Sequence, residues 1–67
     1  MKRELLRQYR GERNQTDMAK MYAVTQQTWS GWENGMYAPP PHIMKQIEND
    51  IGRPMEEIFF DVFHRNN

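Results

Sequence analysis

Three consecutive prolines, Pro39-Pro40-Pro41, divide a chain of 67 residues whose apolar positions otherwise recur at helical spacing. Proline lacks the backbone donor and holds the residue before it in an extended conformation, so no helix can run through this stretch. Gly11, Asn34-Gly35 and Gly52 add further stops. Between them the spacing predicts a first helix over about residues 2–10, marked by Leu5, Leu6 and Tyr9. A second starts near Gln15, with Asn14 as N-cap, Asp17 in its first turn and Met18, Ala19 and Tyr22 as its buried stripe. After a break at Ala23-Val24-Thr25, Thr25 caps a third helix over roughly 26–33. Trp29 and Trp32 share one of its faces, and Gly35 closes it in the left-handed conformation. A fourth runs from about 41 to 50 on Ile43, Met44, Ile47 and Ile51. Pro54 opens a fifth, where Met55, Ile58, Phe59, Val62 and Phe63 form one stripe and Phe60 falls off it. The result is an all-α bundle of about five short helices. The β-forming side chains of 58–63 leave room for a short C-terminal strand instead.

A chain of this length makes one domain, residues 1–67, with a polar tail at 64–67 that is expected to fray. It contains no cysteine, so neither disulfides nor a cysteine-based zinc site can support it, and its stability must come from apolar packing. No apolar stretch approaches a membrane span and the N-terminus lacks a signal-type apolar region, so the expectation is a soluble, cytoplasmic protein without a membrane partner. His42 and His64 are far apart and have no cysteine or acidic cluster beside them, which makes them surface residues rather than metal ligands. Ser30 is the single serine, with no Ser-His-Asp arrangement and little room for a cleft. No enzyme, metal, cofactor or small-molecule ligand is expected.

Nine basic and nine acidic residues give zero net charge, which counts against a non-specific nucleic-acid binder. The first half, to residue 35, holds six basic against four acidic residues, and the second half three against five. That split is either ordinary scatter or a front half that can face phosphate.

The stretch Gln15 to Gly35 reads as helix, tight turn, short helix and Asn-Gly stop. This is the layout of a helix-turn-helix, whose second helix enters the major groove of DNA. Such a helix needs bulky apolar anchors on one side, here Trp29 and Trp32, and flexible hydrogen-bonding groups near its start. Thr25, Gln26, Gln27, Thr28 and Ser30 supply those as base-reading candidates. Glutamine pairs bidentately with adenine, and the methyl of threonine can touch that of thymine. The competing readings are a solvated polar face for the glutamines and base-stacking for the tryptophans. The shared face of Trp29 and Trp32 assigns both to the core.

Gln15-Thr16-Asp17-Met18-Ala19-Lys20, Val24-Thr25-Gln26-Gln27-Thr28-Trp29-Ser30 and Trp32-Glu33-Asn34-Gly35 together resemble the Cro/phage-repressor (XRE-like) helix-turn-helix family. From there the match runs on without a gap through Pro39, the fourth helix, Gly52 and Glu57-Ile58-Phe59, and it covers about residues 5–60. The resemblance implies a lambda-repressor-like fold and a DNA-binding transcriptional regulator, a repressor of bacterial or phage type, acting on double-stranded DNA. It implies that Gln26 and Gln27 read bases. It also implies that Gln15, Asn34, Thr25 and Lys20 lie near backbone phosphate and that Ala19 lets two helices cross closely. Glu33 would pair with an arginine of the first helix. Arg7 is the candidate, and a loop one residue longer than usual brings Arg10 into contention. Four departures stand out. Gly31 replaces a long polar base-reader, Met36-Tyr37 replace basic residues, Ala23 replaces a turn glycine, and Glu48 stands where a small apolar residue is usual.

Phe59, Phe60, Val62 and Phe63 form a second cluster. An apolar patch on so small a domain suggests a subunit contact, and a homodimer would suit paired half-sites on DNA. The rival to DNA binding is a protein-interaction module of the same fold, an antitoxin-like or co-regulator subunit with a protein partner. Neutral charge, Gly31 and the aromatic C-terminus speak for it.

Overall fold

The computed structural model describes residues 2–64, so most of the tail at 64–67 lies outside the described residues. Six helices follow one another: α1 (Glu4–Arg10), α2 (Gln15–Met21), α3 (Gln26–Glu33), α4 (Pro41–Ile51), α5 (Met55–Ile58) and α6 (Phe60–Phe63). There is no strand among the described residues, and none of these helices is long and apolar enough to cross a membrane.

The local signals act where the sequence puts them. The Asn14 side chain accepts from the Asp17 N–H at 2.7 Å, and the Thr25 hydroxyl accepts from the Thr28 N–H at 3.1 Å. Each satisfies one of the unpaired donors that open a helix. Pro41 is the first residue of α4, where its missing N–H costs nothing. Glu48, where the resemblance implies a small apolar residue, keeps its carboxylate partly exposed. It accepts from the Met55 N–H at 2.8 Å, capping the start of α5, and pairs with Lys45 at 2.9 Å. Those bonds hold its carboxyl below the usual carboxylate range.

Leu6, Met18, Ala19, Tyr22, Trp29, Trp32, Met44, Ile47, Ile58 and Phe59 make the core. Trp29 is its centre, stacked on Tyr22 at 5.5 Å between ring centroids and meeting Trp32 edge-on at 5.8 Å. The Tyr22 hydroxyl donates to Asp50 at 2.8 Å. Its one proton is thereby used, so the Tyr9 hydroxyl, 2.9 Å away, is the donor of the bond between the two phenols. Burial, with these bonds, pushes the Tyr22 hydroxyl above the ordinary phenol range.

The C-terminal segment corrects the single-helix expectation. The chain leaves helical geometry at Phe59 (φ −113°, ψ 46°) and restarts as α6. This break lets Phe59 fill the core while Phe60, one residue on, faces outward and half-exposed. Phe59, expected at a dimer contact, is fully buried and cannot belong to a surface. Val62 is partly buried against the core, which leaves Phe60 and Phe63 as the exposed pair. His64 stacks on Phe60 with ring centroids 4.0 Å apart.

Arg3 is the largest surprise of the fold. It is buried, with two guanidinium nitrogens on the Asp61 carboxylate at 3.0 and 2.9 Å. The third donates to the carbonyls of Trp32 and Tyr37 at 2.7 and 2.8 Å, and the group lies over the Phe59 ring. One arginine thus ties the N-terminal segment, the end of α3, the loop after it and α6 together.

The turn between α2 and α3 carries the one non-glycine residue with positive φ among the described residues, Ala23 at 57°. The left-handed conformation costs an L-residue about 1–2 kcal/mol, part of which glycine gives back through its freer unfolded chain. Ala23→Gly is therefore expected to stabilise the domain by about 0.5–1 kcal/mol, raising the thermal midpoint by roughly 2–8 °C in a melt followed by circular dichroism.

Candidate nucleic-acid interface

Helices α2 and α3 pack on each other, and the small side chain of Ala19 is buried in the core beside them. The Val24 N–H closes the turn on the Ala19 carbonyl at 2.9 Å. Helix α3 turns about 100° per residue. Trp29, Trp32 and Glu33 fall on its buried side, so Gln27 and Gly31 lie on the opposite side and Gln26 and Ser30 flank them. Thr25, Gln26 and Gln27 are exposed, while Thr28 and Ser30 are half-buried.

Beneath this face sits a buried carboxylate. Glu33 accepts from Arg10 Nε at 2.7 Å and Nη2 at 3.3 Å, from the Trp29 indole N–H, and from Gln15 Nε2 at 3.3 Å. Of the two first-helix candidates, Arg7 and Arg10, the structure places Arg10 on Glu33 and not the preferred Arg7. Arg7 instead makes an exposed pair with Glu4 at 3.4 Å. Arg10 stands in the last turn of α1, close to the long loop that leads to Gln15, and reaches Glu33 from there.

Gln15 passes the network on. Its amide oxygen accepts from Gln26 Nε2 at 2.7 Å, so the chain Arg10–Glu33–Gln15–Gln26 fixes the first side chain of α3 from below. Gln26 spends one amide hydrogen on this bond. For the Gln27 amide no bond is present among the described residues. The two glutamines thus differ: one is pre-oriented and one is free to reach.

Other candidates have structural duties as well. The Thr25 hydroxyl donates to the Thr28 hydroxyl at 2.9 Å besides capping α3. The Asn34 side chain folds back on the Ser30 carbonyl at 2.9 Å and hydroxyl at 3.2 Å, closing the C-terminus of α3. Lys20 is exposed in the last turn of α2. Among the described residues no group of three His, Asp or Glu side chains could hold a metal ion.

Two further contacts complete this region. The Tyr37 ring lies across Gly31 and its hydroxyl donates to the Gln27 carbonyl at 3.1 Å, and the buried Arg3 holds the Tyr37 backbone. The clue in the sequence was a glycine on the outward face of a short helix.

Close-packed α2 and α3, a tight turn, and an outward helix face of hydrogen-bonding side chains define a helix-turn-helix domain. A helix-turn-helix family model matches residues 6–58, from within α1 to the end of α5. The chain belongs to this Cro/C1-type, XRE-like family of DNA-binding regulators. No curated protein and no solved structure matches the chain.

Proposed function

We propose that this single domain is a sequence-specific transcriptional regulator of repressor type, active in the cytoplasm, that reads double-stranded DNA by placing α3 in the major groove. The observation that carries this is the outward face of α3. It presents Gln26 and Gln27 on a helix anchored by two buried tryptophans, with Gln26 pre-oriented through Gln15 and Glu33. Glutamine amides suit adenine, whose major-groove edge offers a donor beside an acceptor. Thr25, Thr28 and Ser30 flank the pair on the groove side. Gln15, Lys20, Asn34 and Thr25 lie near phosphate in this reading.

Phe60 and Phe63 are the exposed aromatic groups of α6, three residues apart and on one face. A second copy of the chain covers them in this reading. The dimer then offers two recognition helices to half-sites about one helical turn apart and doubles the contacts of a domain without excess positive charge.

On the duplex that the protein selects, Gln26→Ala and Gln27→Ala are each expected to cost about 1–3 kcal/mol of binding and to relax preference at one base pair. Lys20→Ala is expected to weaken all duplexes alike and to lower the salt dependence. Fluorescence anisotropy on matched and mismatched duplexes reads both effects. Equal losses on every duplex for the glutamine variants would contradict base reading. A stoichiometric protein partner with no DNA binding at low salt would favour the interaction-module reading instead.

A further inference from the structure

Gly31 poses a geometric question. It stands one turn beyond Gln27, on the side of α3 opposite Trp29 and Trp32, where a residue should be open to solvent. It is nevertheless buried, because the Tyr37 ring lies on it. A Cβ at position 31 would overlap the ring atoms, so only glycine leaves room for this arrangement. Tyr37 is anchored by one bond of its side chain and two of the backbone around it. Its hydroxyl donates to the Gln27 carbonyl at 3.1 Å, its own carbonyl accepts from Arg3 at 2.8 Å, and the Met36 N–H bonds to the Gly31 carbonyl at 2.9 Å. Arg3 is itself held by Asp61. Shielding does not explain the arrangement, since a glycine offers no apolar side chain to cover and Tyr37 remains half-exposed.

We propose that Tyr37 is a specificity-determining residue of the DNA-reading face, standing in for the side chain that Gly31 lacks. The proposal rests on the reading of α3 as the recognition helix. The chemistry of the phenol sets what it selects. Its single proton is committed to the Gln27 carbonyl, so toward the groove the oxygen can only accept. It fits a base whose major-groove edge carries an amino group, adenine or cytosine, and it opposes guanine, which presents two acceptors. The ring edge beside it is apolar and suits the thymine methyl of an adjacent pair. Position 37 thus extends the footprint of Gln26 and Gln27 by one base pair toward the C-terminal end of α3.

The test is a selection from random-sequence duplexes with the full chain, Tyr37→Phe and Gly31→Ala, each checked for fold by circular dichroism. Tyr37→Phe keeps the ring and removes the acceptor. The expected result is that preference at one base pair, next to those governed by Gln26 and Gln27, falls about tenfold while the other positions keep theirs. Gly31→Ala displaces the ring and is expected to lose preference at that same pair. If the full chain selects a motif and Tyr37→Phe selects the same one with the same strength, the role of Tyr37 is overturned and DNA reading by α3 stands. If Tyr37→Phe weakens every duplex equally, the phenol touches phosphate and the specificity role is likewise overturned. If the full chain selects no motif, the recognition-helix reading fails and this proposal with it.

Discussion

Replacing Glu33 with alanine is expected to unfold the domain, or to leave it close to unfolding, at room temperature. The carboxylate is buried and serves Arg10, Trp29 and Gln15 at once. Its removal strands a buried indole N–H and a guanidinium that retains only part of its contact with water. Breaking a buried, hydrogen-bonded ion pair by deleting one partner costs about 3–5 kcal/mol. A core of this size rarely supplies more than about 3–5 kcal/mol in total. Glu33→Gln, which keeps the shape and one acceptor, should lose roughly half as much. Urea denaturation followed by tryptophan fluorescence reads both variants directly, because Trp29 is bonded to the altered group. A loss below about 1 kcal/mol for the alanine variant would show that the network contributes little to stability. The same variants bear on function. The Glu33–Gln15 bond supports the Gln26 side chain, so Glu33→Gln should loosen the one base-reading candidate that is oriented in advance.

The second large effect is expected at Arg3. Arg3→Met leaves the Asp61 carboxylate and the Tyr37 carbonyl without their donor, and the Trp32 carbonyl with only the long bond from the Gly35 N–H at 3.4 Å. Asp61 is partly exposed, as Arg10 is, and can regain water, and no buried indole N–H is stranded here, so the expected loss is about 2–4 kcal/mol, below that at Glu33. The pH dependence carries a separate signature. Hydrogen bonding to Arg3, opposed in part by burial, holds the Asp61 carboxyl below its ordinary range. A carboxylate with a lowered native pKa contributes stability that is complete above its unfolded-state value and is lost as the pH falls through the lowered one. The folded chain should therefore weaken through the acid range, and both Arg3→Met and Asp61→Asn should flatten that part of its stability curve. Unchanged acid limbs in both variants would exclude the Arg3–Asp61 pair as a source of acid sensitivity.

Much of the architecture was legible in the sequence because its signals are local. Asn14 and Thr25 are caps whose bonds close within three residues, Pro41 opens a helix that it could not continue, and Trp29 and Trp32 share a face by spacing alone. The candidate reading face followed from the same periodicity, since placing both tryptophans inward turns Gln27 outward. What escaped depends on long-range partners. Arg3 looks like any N-terminal basic residue, and only the fold brings Asp61, Trp32 and Tyr37 around it. The Glu33 partner could not be fixed from spacing, because the loop after α1 decides whether Arg7 or Arg10 reaches it. Phe59 and Phe60 are neighbours of one type, and the break between α5 and α6 sends one inward and the other out. Gly31 alone signals a missing contact, and only the fold shows the Tyr37 ring in that space.

In the proposed function, α3 reads base sequence in double-stranded DNA. Selection of the purified full chain against a random duplex pool, with its mass in solution measured alongside, decides the question. The expected result is a motif containing A·T pairs in two half-sites about one helical turn, roughly 10 base pairs, apart, bound by a dimer. A pool that remains random after repeated rounds at low salt would contradict it.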